Sequence, residues 1–269
     1  MDPIHLVGEV PMSLSCAVRP SFSHKISFSV SWANSEEDLL KAQKLRAVAF
    51  GFCPPETPFD EIIPEYDAFD PHARHLLVTV SQTGHCVGTY RLLDPEGARK
   101  AGGFYTESEF DISSLTPFLS RTAELGRSCV HPDYRRGGVI ALLWSALART
   151  LIAEEIRYLM GCASLDLTNP DLDPDQIYSD LRLHRWGDPS LTVVPHRPFP
   201  CLLRPLDSDR RLPTLPPLLK GYLRLGARCI GDPAHDPLFR TADFPVWLPL
   251  SAMDSGYARH FLRTGATSS

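Results

Sequence analysis

Residues 124–155 read ELGRSCVHPDYRRGGVIALLWSALARTLIAEE. The run continues a strand over Thr122–Val130 and turns at His131-Pro132-Asp133. It then passes through Arg135-Arg136-Gly137-Gly138 and goes on, free of Pro and Gly, as a long apolar helix to about Arg157. The first N–H groups of a helix have no intrahelical acceptor, and the helix dipole places partial positive charge at the same end. A strand, a basic glycine turn and a helix N-terminus in this order therefore build an anion site. The stretch predicts an α/β fold with a phosphate-bearing ligand at the turn.

Working outward, Ile26–Trp32 alternates as a half-buried strand does, and Asn34-Ser35-Glu36-Glu37 starts a helix with apolar positions at Leu39, Leu40, Ala42, Leu45, Val48 and Ala49. A loop dense in Pro and acids runs from Pro54 to Arg74. Strands at Leu76–Ser81 and Cys86–Leu93 meet at Thr83-Gly84 as a hairpin. Phe104–Asp111 is short and irregular or helical. Tyr158–Leu165 is almost continuously apolar and suits the centre of a sheet. Helices are expected at 175–186, 216–225 and 257–263, and strands at 191–194 and 244–250. The order β-α-β-β-β-α-β-α-β predicts a mixed α/β sheet with one long helix packed across it. Residues 1–24, with Pro3, Pro11 and Pro20, read as a loose extension. Residues 25–263 read as a single domain whose part from about 196 has a character of its own.

Composition narrows the partners. The 269-residue chain is 43% hydrophobic and 22% charged with a net charge of -5, ordinary for a globular protein and unlike a nucleic-acid binder. Seven cysteines are scattered without a CxxC pair, which fits reduced thiols in the cytoplasm rather than a disulfide framework or a zinc site; no metal is expected. No basic stretch precedes an apolar core at the N-terminus, so no signal peptide is read. No apolar run approaches the ~20 residues of a membrane span. Charge is uneven. Residues 196–228 hold seven Arg/Lys against two acids, a local +5, and residues 34–71 hold nine acids against three bases, a local -6.

The turn has neither GxxxxGK[ST] nor GxGxxG, which removes nucleotide P-loops and dinucleotide folds. Val130-His131-Pro132-Asp133-Tyr134-Arg135-Arg136-Gly137-Gly138-Val139 resembles the pyrophosphate loop of the GNAT acyltransferase superfamily, V-x-P-x-x-R/Q-x-x-G-x-G/A. Arg135 and Gly138 fall on that pattern, and Ile140 replaces its last Gly/Ala. The narrower turn favours a phosphopantetheine arm, with its single phosphodiester, over the pyrophosphate of CoA. Arg46-x-x-x-Phe50, Asp67, Gly88-x-x-Arg91-Leu92-Leu93 and Glu124-x-x-Arg127 resemble the spaced residues of acyl-homoserine-lactone synthases. Longer stretches are more similar to the L-ornithine N-alpha-acyltransferases: Gly102–Tyr105 with Ser108–Asp111, Glu124–Pro132 with Tyr158–Ser164, and Pro216–Ala227. Tyr178–Trp186, YSDLRLHRW, departs from the histidine-rich run of that family.

The resemblance implies a GNAT-like, mostly antiparallel sheet flanked by helices. It also implies transfer of a 3-hydroxyacyl group from acyl carrier protein to the α-amine of L-ornithine, giving lyso-ornithine lipid by direct amine attack on the thioester. The acyl-phosphopantetheine of the carrier is then a substrate, and no further cofactor is expected. Glu124 is the expected general base with Arg127 beside it. Asp67 or Glu65 is expected to read the side-chain amine, and Arg46 or Arg91 the carboxylate. Val130, Arg135, Arg136, Gly137 and Gly138 are the expected phosphopantetheine contacts. In a regular strand Glu124 and Arg127 lie on opposite faces, so an irregularity between Leu125 and Val130 is required. Cys129 near His131 invites covalent catalysis, but a buried cysteine is the more common reading. The basic segment suits an acidic carrier protein, and Pro216–Leu225 suits either a membrane surface, the inner face of a bilayer, or the core. An autoinducer-type synthase, an acyltransferase for another amino acid, an acetyl-CoA acetyltransferase and a non-catalytic lipid- or carrier-binding protein stand as alternatives.

Overall fold

The computed structural model describes residues 26–135, 138–204 and 214–253. The expected N-terminal extension, the helix at 257–263, and Arg136, Gly137, Arg210 and Arg211 lie outside the described residues.

In chain order the elements are β1 (Phe28–Trp32), α1 (Glu36–Ala49), β2 (Arg74–Val80), β3 (Cys86–Leu93), α2 (Pro95–Ala101), β4 (Phe110–Asp111), β5 (Thr122–Val130) and α3 (Val139–Ala153). They continue as β6 (Tyr158–Asp166), α4 (Pro174–His184), β7 (Val194–Pro195), α5 (Pro217–Leu225), β8 (Arg228–Cys229), β9 (Ala234–Asp236) and β10 (Thr241–Pro249). The large sheet runs β1-β2-β3-β5-β6-β10-β8, with β9 on β10. Its described pairings are antiparallel except β5 with β6. This is the mixed, mostly antiparallel α/β sheet expected from the sequence.

Local chemistry places the helices. The Ser35 hydroxyl accepts from the Asp38 N–H at 3.1 Å, and Glu36, Glu37 and Asp38 occupy the first turn of α1, where the dipole favours them. On β2, Leu76 and Val78 pack with α3 while Leu77 packs with α1 residues Ala42 and Leu45. Alternation along the strand thus puts α1 and α3 on opposite faces. Covered on both sides, β3 is buried along its whole length. Gly88 is what lets α3 come so close: a Cβ there would lie 2.4 Å from Val139 Cγ1. Leu219, Tyr222, Leu223 and Leu225 of α5 join the same core, and the Tyr222 hydroxyl bonds the buried Tyr90 hydroxyl. The buried side of α5 therefore faces the core, leaving Lys220 and Arg224 exposed. No described helix is long and apolar enough to cross a membrane.

Some details depart from the sequence reading, among them the unexpected short strands β8 and β9. The strand expected at 191–194 is a 3-10 turn, Pro189–Leu191, followed by the two-residue β7. The irregular region before β5 is more ordered than expected. Asp94 caps α2 through the Gly97 N–H at 2.8 Å, and a 3-10 stretch covers Ser113–Arg121.

Candidate active site

β5 and β6 pair only over Thr122–Glu124 and Tyr158–Met160. Beyond that point β5 stays with β3 and β6 stays with β10, so the two central strands part. Gly161 sits where they still touch, since a Cβ there would lie 2.4 Å from the Leu125 carbonyl oxygen. A cavity of about 450 Å³ fills the gap. Glu124–Ser128 form one wall and Cys162–Ser164 another, with Arg91 and Tyr105 also lining it.

The expected irregularity is present. Arg91 faces Gly126 and Thr89 faces Cys129, so Arg127 and Ser128 together oppose Tyr90 in a bulge. Arg127 has φ 49, a left-handed conformation uncommon and strained for a residue with a Cβ. The bulge brings Arg127 to the cavity wall beside Glu124.

The pairing of Glu124 with Arg127, however, is not found. Glu124 Oε2 accepts from the Tyr105 N–H at 2.6 Å, and Oε1 accepts from the Thr106 N–H at 2.7 Å and from the Thr106 hydroxyl. A carboxylate offers about four acceptor positions, so one remains on Oε2. Glu124 is 4% exposed. Burial raises its carboxyl above the ordinary range, against the Thr106 bonds and the Arg91 charge.

Arg127 belongs instead to a cluster of three guanidiniums and three carboxylates. Its Nη2 donates to Asp67 at 2.9 Å, and its Nε lies 3.2 Å from Glu65. Arg91 Nη1 donates to Asp67 at 2.5 Å and to Asp70 at 2.9 Å. Arg46 reaches Asp70 through Nη1 at 3.0 Å and Nη2 at 2.5 Å, and Glu65 through Nε at 2.5 Å. Gln43 donates to Asp70 at 2.9 Å. The acid-rich loop after α1 thus carries all three carboxylates to the back of β3 and β5.

This arrangement sets Arg46 and Asp67, two expected substrate contacts, outside the cavity lining. Arg46 is 0% exposed and does not line the cavity, so it has no access to a substrate carboxylate. Asp67 and Glu65 are engaged by arginines and do not line the cavity. They hold Arg91 and Arg127, which do reach the cavity. Asp70 was not anticipated. A lone Asp before Pro71 in a loop carries no sequence signal, and its role comes from contacts with residues 21–27 positions away.

At the turn, Val130 ends β5 half-buried, Arg135 is exposed, and Gly138 takes φ 76 directly before α3 with no side-chain cap. Ala141 and Leu142 N–H groups bond back to the Gly138 carbonyl, leaving the helix end to the N–H groups before them. Ile140 is exposed in the first turn. Cys129 is buried between α1 and the sheet, with its thiol pushed up mainly by burial, which suits packing and not nucleophilic attack.

The charges carry a pH signature. Burial acts to raise Asp70, but hydrogen bonds and charge from Arg46, then Gln43 and Arg91, hold it far below the usual carboxylate range; Asp67 is held down by Arg91 and Arg127 against burial. Carboxyls lowered in the folded state add stability above their unfolded pKa near 4, and that stability is lost as pH falls. Glu109 works the other way, pushed up to about 8 by burial and by the Asp243 charge. A carboxyl raised in the folded state loses its contribution as pH rises from about 4.5 toward 8. The thermal midpoint is therefore expected to peak in mildly acidic buffer, fall steeply below about pH 4 and decline gently toward pH 8. Calorimetry across pH checks this, and a midpoint still rising from pH 6 to 8 would contradict it.

A sheet parted beside a glycine turn and helix N-terminus, with a buried carboxylate in the gap, defines an acyltransferase of the GNAT type. Residues 50–145 match the Acetyltransferase (GNAT) domain. The chain is 36% identical to the L-ornithine N(alpha)-acyltransferase of Brucella abortus over 253 residues, 87% of this chain and 89% of that protein. It is 32% identical to the L-ornithine N(alpha)-acyltransferase of Rhodobacter capsulatus over 263 residues, covering 88% and 96%. It belongs to the L-ornithine N(alpha)-acyltransferase family. Its fold also overlays FeeM, an N-acyl amino acid synthase from uncultured soil microbes, with a TM-score of 0.50 at 12% identity, over 85% of this chain and 93% of that one.

Proposed function

We propose that this enzyme transfers a 3-hydroxyacyl group from acyl carrier protein to the α-amine of L-ornithine, giving lyso-ornithine lipid. The observation that carries the reading is the parted pair β5 and β6, with Glu124 and Arg127 at its wall. Strand edges freed of each other expose unpaired backbone groups to which an extended pantetheine arm adds as a strand would. Its phosphate is then expected beside Val130, Arg135 and Gly138, where helix N–H groups and a guanidinium favour an anion; the expected contacts Arg136 and Gly137 lie outside the described residues. The exposed Ile140 leaves room for a single phosphodiester more readily than for a pyrophosphate.

Chemistry follows from the neighbours. The free α-amine attacks the thioester carbonyl, the N–C bond forms and the C–S bond breaks. One amine proton passes to Glu124, directly or through water, and the departing sulfur takes up a proton as it leaves. Burial makes Glu124 a stronger base than an exposed carboxylate. Arg91 and Arg127 present guanidiniums toward the substrate carboxylate or the developing oxyanion. The exposed basic side chains Lys220 and Arg224, in the segment from 196 onward, suit an acidic carrier protein.

Purified protein incubated with 3-hydroxyacyl carrier protein and, separately, ornithine, glycine and S-adenosylmethionine tests the proposal by product mass. N-acyl-ornithine is expected. Product only with S-adenosylmethionine or only with glycine would overturn it.

A further inference from the structure

The cavity has a second charged region that acyl transfer as described leaves unused. Glu109 precedes β4, Asp236 ends β9 and Asp243 lies on β10, and one carboxylate oxygen from each lies within 4.8 Å of those of the other two. Asp236 and Asp243 stand on the wall of the 450 Å³ cavity. Glu109 lines an adjoining space of about 310 Å³, and Tyr105 and Asp236 border both.

The cluster is incomplete as it stands. Asp243 is 3% exposed, and its Oδ1 is buried without a hydrogen-bond partner although the residue faces the cavity. Both carboxylate oxygens of Glu109 are likewise buried and unpartnered. The Ser164 and Thr241 hydroxyls stand near Asp243 and the Tyr105 hydroxyl near Glu109, and the Glu109 and Asp243 carboxyls sit against each other, both pushed up first by burial. Asp236 Oδ1 is occupied, accepting from the Leu238 and Phe239 N–H groups at 2.8 and 3.2 Å. Buried acceptors without donors are costly, and two such carboxylates standing with Asp236 in one cluster call for a cation with several N–H groups. An alkylammonium supplies three donors on a compact charge. The same cavity offers Arg91 and Arg127 to a carboxylate and Glu124 to an amine. Its polar groups thus match a diamino acid: an anion, a reacting amine and a second, cationic amine.

We propose that Glu109, Asp236 and Asp243 bind the side-chain ammonium of the amino-acid substrate and set the preference for ornithine over neutral amino acids. This rests on the acyltransferase reading above and replaces Asp67 and Glu65, which are bound to arginines. A divalent cation is the competing ligand for such a triad.

The test compares ornithine with norvaline, the same carbon chain without the terminal amine, as acceptors in steady-state acylation. Wild type is expected to favour ornithine in kcat/KM. In Asp243→Asn and Glu109→Gln that ratio is expected to fall by roughly 10- to 100-fold, the range for a lost charged hydrogen bond, mainly through a higher KM for ornithine. Two variants guard against one failing to fold, and Asp236→Asn keeps the Oδ1 acceptor that its turn needs. An unchanged ratio in folded variants overturns the proposal. So does loss of ornithine preference on EDTA treatment with recovery on adding Mg²⁺ or Ca²⁺, which would make the triad a metal site. A wild type that acylates norvaline and ornithine equally sinks this inference but leaves acyl transfer intact, whereas no acylation of either amine sinks the functional reading itself.

Discussion

Glu124→Gln is expected to lower kcat for ornithine acylation by roughly 10²–10⁴-fold, the range for removing a positioned general base. Glutamine nearly preserves the shape and still accepts from one backbone N–H, so the turn at Tyr105-Thr106 stays attached. Its amide cannot take a proton from the amine, and it turns a donor toward either the Tyr105 or the Thr106 N–H. That mismatch costs about 1–3 kcal/mol of stability. The pH profile separates the two effects. The wild-type acidic limb of kcat/KM reports the Glu124 carboxyl, raised by burial, and this limb is lost in the variant while a merely looser turn would keep it. If Glu124→Gln retains kcat within tenfold of wild type and an unchanged limb, another group accepts the proton.

The second large effect is on stability. Arg46→Ala removes the one fully buried guanidinium that touches both Asp70 and Glu65. Two buried carboxylates then face each other with less compensation, and breaking a buried pair in this way costs about 3–5 kcal/mol. For a chain of this size that is a fall of roughly 6–20 °C in the thermal midpoint. The same variant is expected to lose activity, because Asp70 also anchors Arg91, and Glu65 also anchors Arg127. Thermal unfolding followed by circular dichroism measures the first effect. A change below about 1 kcal/mol would mean that the cluster relaxes without Arg46 and does not frame the site.

Much of the fold was readable because its signals are local. The bounds of β3 and β5 came directly from apolar runs ended by turn residues, and Ser35 announced α1. The bulge was deducible too, since Glu124 and Arg127 three residues apart need it to share a face. What eluded the sequence was whatever depends on contacts between distant segments. Arg46 and Asp67 were expected at the site from their spacing, but spacing does not say which arginine faces the ligand and which faces a carboxylate from another loop. Burial decided that, turning both into supports for Arg91 and Arg127.

Residues 124–155 alone determined a strand followed by a long helix, because apolar patterning and backbone freedom act within a few residues. Only the tertiary structure decided what they open onto. The parting of β5 from β6 depends on their partners β3 and β10, and the acids Glu109, Asp236 and Asp243 meet only once β10 lies beside β6. Both are consequences of pairing across more than a hundred residues at the widest, where no periodicity along the chain holds a record.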